Sequence, residues 1–223
     1  MIKYKPFLLK ISLFINLLFA LFFVSKRIYY NWRYFHPAHI EADRWNDFLS
    51  KPNDTLANVF IGTSLTAGFP VRREFKSDTV RNVGVSGSKS AFILERFKIV
   101  LTHHPKKIFL EAGVNDINFN VRLDTFITNM STAIQLARRS SASIYIQSIL
   151  PTRRPGINKW IPTWNAKLKQ LCMENNVPFI DLYPYFLDDK GMLDKDLTTD
   201  GIHLTAAGYY VWRKQIDYFV KQQ

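Results

Sequence analysis

Cys172 is the only cysteine among 223 residues, which excludes an intramolecular disulfide and any thiolate-held metal cluster. It lies in KLKQLCMENN, a helical pattern in which a buried, small apolar side chain is expected. No repeat with a period of about 20–50 residues is visible, which excludes a solenoid or propeller. Zinc-finger spacing, an aromatic RNA-binding signature and a basic helix with heptads are all missing, so no nucleic-acid partner is expected. Acidic residues are missing from the first forty positions, the first being Glu41.

What is present is apolar. Hydrophobic residues make up 47% and aromatic residues 15% of the chain, enough for a sizeable core in one domain plus an appendage. The formal net charge is +12, and six of the basic residues (Lys3, Lys5, Lys10, Lys26, Arg27, Arg33) precede position 34. About half of the excess is thus attached to a hydrophobic N-terminus, which suits a membrane surface better than a polyanion. The pairs Arg72-Arg73, Arg138-Arg139 and Arg153-Arg154 read as solvated surface.

Residues 7–24 form an apolar run interrupted by Lys10 and Asn16, at the short limit of a membrane-spanning helix. Lys10 is near the run's start and can snorkel. The run exits through LFFVSKRIYY, bulky and basic, without the small-x-small pattern of a cleavage site. Tyr29, Tyr30, Trp32, Arg33 and Tyr34 fit an interfacial belt. The expectation is an uncleaved signal-anchor with its juxtamembrane stretch over residues 1–40 and a folded domain over 41–223. A cleaved signal peptide and a buried core helix are the competitors. Three Lys/Arg flank the run on either side, so charge does not set its orientation.

From residue 56 apolar strands alternate with helical patterns. ANVFIG, TVRNVGVSG, KKIFLEAG, ASIYIQSILP and VPFIDLY read as strands. SAFILERFKIVLTHH, with Ser90 as its candidate cap, TFITNMSTAIQLARRS, IPTWNAKLKQLCMENN and TAAGYYVWRKQIDYFVKQ read as helices. This alternation predicts an α/β fold, a parallel sheet covered on both faces. Such sheets carry functional groups in loops beyond the carboxyl ends of their strands. Ser64, Gly87, Asn115 with Asp116, and the TTDGIH loop occupy those positions.

These residues match the needs of acyl transfer: a hydroxyl, a base, a group orienting the base, and donors for an oxyanion. Ser64 supplies the hydroxyl. His203 is the natural base, and Asp200, three residues earlier, can hold its tautomer. Gly87 would let a backbone amide approach substrate, and Asn115 offers a neutral amide donor. The nucleophile elbow Gly-x-Ser-x-Gly is not matched, because Thr66 occupies the last position.

Their order and spacing resemble the SGNH hydrolases, the GDSL-like esterases and lipases, over residues 56–220. IGTSLTAG resembles the nucleophile block, RNVGVSGSKS the glycine block, LEAGVND the Gly-x-Asn-Asp block and TTDGIHLTAAGY the Asp-His block. The resemblance implies a flavodoxin-like three-layer α/β/α sandwich with a central parallel sheet, a Ser64–His203–Asp200 triad without cofactor or metal, and an oxyanion hole of Ser64, Gly87 and Asn115. Two positions depart from the family pattern: Thr63 stands where it has aspartate, and Ser88 where aspartate is frequent. The expected activity is hydrolysis of short-chain acyl esters, foremost acetyl, on a carbohydrate or other small molecule, since no long lid shelters a fatty chain. The alternatives are a lysophospholipase or lipase-type esterase and a membrane-tethered O-acyltransferase acting on a cell-envelope glycan. Such chemistry favours a domain outside the cytoplasm, periplasmic or extracellular. The oligomeric state is not readable.

Several other features receive structural readings. His103-His104 is expected to cap a helix C-terminus, and His36 and His39 have no metal-ligand spacing. Trp160 and Trp164 follow the fourth strand near the expected pocket rim, where either carbohydrate stacking or packing would suit them. Asn53 and Asn129 head glycosylation sequons that carry no weight here.

Overall fold

The computed structural model describes residues 5–51 and 57–222. The chain divides into two compact units, Met1–Asp43 and Arg44–Gln223. Helix α1, Lys5–Leu49, supplies nearly all of the first. Among the described residues no helix is long and apolar enough to cross a membrane, so a spanning anchor finds no support there. The early part of the expected anchor, residues 7–11 and 13, lies outside the described side chains.

The second unit is built on β1 (Asn58–Ile61), β2 (Val80–Asn82), β3 (Lys107–Leu110), β4 (Ser143–Gln147) and β5 (Phe179–Ile180). All pairings are parallel and the strand order is β2-β1-β3-β4-β5, the doubly wound order with its switch point between β1 and β3. Between the strands run α2 (Ser64–Gly68), α3 (Val71–Phe75), α4 (Ser90–Leu101), α5 (Val114–Asn118), α6 (Leu123–Ser140), α7 (Pro155–Asn158), α8 (Ile161–Glu174) and α9 (Ala206–Lys221). Short 3₁₀ turns at Tyr183–Phe186 and Lys195–Leu197 precede α9.

β1 and β3 are buried along their whole length, which is why they read as unbroken apolar runs rather than alternating ones. Phe60, Phe109 and Tyr145 form one aromatic stack through the sheet, at 4.7 and 4.9 Å between neighbouring rings. Trp212 of α9 stacks on Phe69 at 5.1 Å. Phe126 of α6 meets Trp164 of α8 at 5.0 Å. Such pairs add about 0.5–1.5 kcal/mol each beyond their area burial.

One local expectation changes. Ser90 is the first residue of α4 rather than its cap; Lys89 takes the cap position, and the Ser90 amide and hydroxyl both donate to Asp116. His103 and His104 end α4 through their amides, which donate to the Val100 and Leu101 carbonyls at 3.1 Å, with His104 at φ +51°, but the His103 side chain turns elsewhere. It is buried, its Nδ1 is 3.1 Å from the Lys51 carbonyl, and its ring packs on Phe48 at 4.5 Å.

Candidate active site

β1 ends at Ile61, and Gly62 and Thr63 turn the chain into α2. Thr63 is the N-cap, its hydroxyl accepting from the Leu65 amide. That interaction satisfies one of the orphan donors of the helix start, and it leaves Ser64 as the first helical residue, half-buried at the carboxyl end of the sheet.

Ser64 Oγ lies 3.0 Å from His203 Nε2, and His203 Nδ1 lies 2.7 Å from Asp200 Oδ2. The second contact is local. Asp200 Oδ1 accepts from the amides of Ile202 and His203 at 3.0 and 2.9 Å, so the turn that presents the imidazole also fixes its partner. The His203 carbonyl in turn accepts from the Thr199 amide and the Thr198 hydroxyl, each at 2.8 Å. Burial alone would raise the Asp200 pKa. The His203 ring and the two amides outweigh it and hold the carboxyl at about 2. The side chains of His203 and Asp200 stay 45% and 27% exposed, so this dyad is open to substrate and solvent.

Gly87 and Asn115 flank the serine from neighbouring strand ends. The Val85 amide donates to the Gly62 carbonyl at 2.9 Å, tying the loop of Gly87 to the turn of Ser64. Gly87 adopts φ +76°, a left-handed conformation that favours glycine. Among the described residues, the amides of Ser64 and Gly87 have no hydrogen-bond partner. The Asn115 side chain donates to the Ser88 carbonyl at 2.9 Å, which uses one of its two N–H groups.

Asp116, beside Asn115, is fully buried and receives the Ser90 amide at 3.0 Å. Asn129 donates to the same Ser90 hydroxyl at 2.9 Å. Asp116 thus joins the helix of Asn115 to the start of α4, just beyond Gly87 and Ser88. Burial pushes its carboxyl pKa up, against the Ser90 donors.

Trp160 and Trp164 part company. Trp164 is buried against Phe126, whereas Trp160 is 51% exposed, with the Lys159 ammonium 5.2 Å from its ring centre. The loop after β4 that leads to them touches the Asp-His turn through the Arg153 amide, which donates to the Gly201 carbonyl at 2.8 Å.

Sequence reasoning passed over Glu111, the buried carboxylate that follows β3. Its signal was available: an acid inside an apolar strand run needs a reason to be there. Among the described residues, no group of three or more His, Cys, Asp or Glu is placed to hold a metal ion.

Residues 60–211 match the model of the GDSL-like lipase/acylhydrolase family. A GDSL-like lipase from Bacteroides thetaiotaomicron shares the fold with a TM-score of 0.72 at 23% identity, over 81% of this chain and 97% of that one. The lipase/acylhydrolase from Enterococcus faecalis gives 0.66 at 23% identity, over 74% and 96%. The N-acylneuraminate cytidylyltransferase of Streptococcus agalactiae serotype V is 26% identical over 172 residues, 76% of this chain but 40% of that protein. The chain therefore spans about two fifths of the length of the curated relatives it matches. The family match takes in Ser64, Gly87, Asn115, Asp200 and His203 alike. The chain belongs to the GDSL-like lipase/acylhydrolase family.

Proposed function

We propose that Ser64 is the nucleophile, His203 the general base and Asp200 its orienting acid in a serine esterase that removes short acyl groups, foremost acetyl, from a carbohydrate. The observation that carries this reading is the continuous chain of contacts from Ser64 Oγ to His203 Nε2 and from His203 Nδ1 to Asp200 Oδ2, at 3.0 and 2.7 Å. Ser64 Oγ attacks the ester carbonyl as His203 Nε2 takes its proton. The oxyanion is held by the amides of Ser64 and Gly87 and by the remaining Asn115 N–H. His203 then protonates the departing alcohol. Water, deprotonated by His203 in turn, attacks the acyl-enzyme, releasing the acid and restoring the Ser64 hydroxyl.

Support for a sugar-borne ester comes from Trp160, whose exposed ring follows the β4 end of the sheet. Aromatic faces pack well against the apolar face of a sugar ring. The discriminating experiment follows hydrolysis of aryl esters from acetyl to octanoyl by wild type and Ser64→Ala. Activity that falls with chain length and disappears in Ser64→Ala is the expected result. Equal activity in the variant would remove Ser64 from the chemistry.

A second reading, an esterase or acyltransferase working at a membrane, is favoured by α1. Its Phe14, Leu17, Phe19, Phe22 and Phe23 are each more than half exposed, a continuous apolar surface that lipid would cover. In this reading the N-terminal helix holds the protein to a membrane and the hydrolase unit works outside the cytoplasm. Alkaline carbonate extraction of the full chain tests the attachment: retention in the membrane pellet supports it and release into the supernatant removes it. Preference for octanoyl over acetyl esters would move the substrate to a lipid. Acyl transfer to a sugar acceptor faster than hydrolysis would make the protein a transferase.

A further inference from the structure

We infer that Glu111 is a positioning residue for the nucleophile, a buried carboxylate delivered by β3 that sets the turn carrying Ser64; the inference rests on the reading of Ser64 given above. Glu111 is 1% exposed. Burying an ionised carboxyl is costly unless donors surround it, so the groups that meet it show what it is for. Thr63 N donates to Oε2 at 3.0 Å, and the Thr63 hydroxyl lies 2.8 Å from Oε2 and 3.1 Å from Oε1. The Thr66 hydroxyl donates to Oε2 at 2.9 Å. These three donors come from the β1–α2 turn and the first turn of α2, from the residue before Ser64 and the second residue after it.

Thr63 links the carboxylate to the helix start. Its oxygen also accepts from the Leu65 amide at 3.3 Å, so its proton is directed at Glu111 while its lone pair caps α2. The glycine at the end of β1 belongs to the same arrangement. A Cβ at Gly62 would lie 2.7 Å from Glu111 Oε2 and 2.3 Å from Thr66 Oγ1, closer than real contacts allow. Only glycine leaves room for the carboxylate beneath the turn.

Tyr209, whose own pKa is raised by burial and then by the Glu111 charge, donates its hydroxyl to the Leu65 carbonyl at 3.0 Å. The register of β3 and β4 pairs Leu110 with Ile146, and its continuation sets Glu111 beside Gln147, whose side chain accepts from Trp212 Nε1 at 2.7 Å. Burial raises the Glu111 pKa and the Thr63 and Thr66 donors oppose it. Among the described residues Glu111 makes no hydrogen bond to Ser64 or His203, so it acts through the turn. The threonine that stands at position 63 in place of the resembled family's aspartate thereby has a partner: the acid reaches the nucleophile turn from β3 instead.

The test measures ester hydrolysis and the rate at which a fluorophosphonate labels the full-length protein. In labelling, Ser64 Oγ bonds to phosphorus, fluoride leaves and the hydroxyl proton passes to His203. Glu111→Gln keeps the shape but replaces one acceptor oxygen with an amide donor. It is expected to lower kcat and the labelling rate about 10-fold or more, with KM within about twofold, as misplacing a nucleophile does. Thr63→Val, which removes the hydroxyl donor, should show a similar loss. Thr63→Ser, which keeps the donor, should recover most of it. The Glu111→Gln/Thr63→Val pair should be no worse than the poorer single variant, because both act through one contact. Labelling and kcat unchanged in Glu111→Gln and Thr63→Val, with only thermal stability reduced, would make Glu111 merely structural and overturn the inference. Wild-type protein that is neither labelled nor active would instead overturn Ser64 as nucleophile, and Glu111's role with it.

Discussion

Ser64 Oγ and His203 Nε2 lie 3.0 Å apart although 139 positions separate them in the chain. One comes from the first strand end and the other from the turn before the last helix, so the contact exists only when the whole sheet is assembled. Ser64→Ala and His203→Ala should each reduce kcat on aryl esters by on the order of 10⁴-fold, and the double variant by little more than either single one. Multiplicative losses would mean that the two residues do not act as a unit.

Asn115→Ala should lower kcat by about 10²–10³-fold with a much smaller change in KM, because an oxyanion donor works mainly in the transition state. Steady-state kinetics decide it. A rise in KM at constant kcat would make Asn115 a ground-state binding group.

Asp116→Ala leaves the buried Ser90 amide and hydroxyl without their acceptor, at a cost of about 1–3 kcal/mol. Thermal unfolding should show the loss, and kcat should fall with it because Asn115 and the Gly87 loop meet through this joint. A variant as stable as wild type would show that Ser90 finds another partner.

Asp200 sets a pH dependence whose sign follows from its lowered carboxyl pKa of about 2. A carboxyl with a depressed folded pKa adds stability that is fully present above its unfolded value of about 3.9 and is lost as the pH falls through its folded value. The difference in unfolding temperature between wild type and Asp200→Asn should therefore be steady above about pH 4 and shrink toward pH 2. A difference that grows on acidification would contradict the assignment.

Cys172 is buried within α8, and burial pushes its thiol pKa up to about 12. Iodoacetamide at neutral pH should leave the native protein unlabelled and modify it once guanidinium unfolds it, as mass spectrometry will read. Rapid labelling of the native protein would show that α8 opens.

The five strands, the four long helices after them and the strand-end positions of Ser64, Gly87, Asn115, Asp200 and His203 were all legible from residue order, for a local reason. Apolar runs ending in glycine mark buried parallel strands, and 3.6-residue spacing marks helices, without reference to distant residues. The N-terminal apolar run was equally plain as a pattern, yet among the described residues it does not amount to a membrane-length helix.

Other features depended on neighbours that the sequence does not list. Ser90 read as a cap because serine often caps, but in the folded protein its amide and hydroxyl go to Asp116, 26 residues on. His103 and His104 close the end of α4 as their sequence suggests, but that the His103 ring packs on Phe48 depends on another helix. Trp160 and Trp164 were indistinguishable by spacing until α6 and α8 packed together and took Trp164 into the core.

Glu111 shows the division most plainly. An acid in an apolar run is visible in the sequence; that it faces Thr63 and Thr66 is set by the pairing of β3 with β1, Leu110 beside Ile61. Alone, the sequence determined which residue types stand at the strand ends, because hydrophobic periodicity is a property of neighbouring positions. The tertiary structure alone decided which of them meet, because hydrogen bonds between strand ends depend on parallel register, and register forms only between segments far apart in the chain.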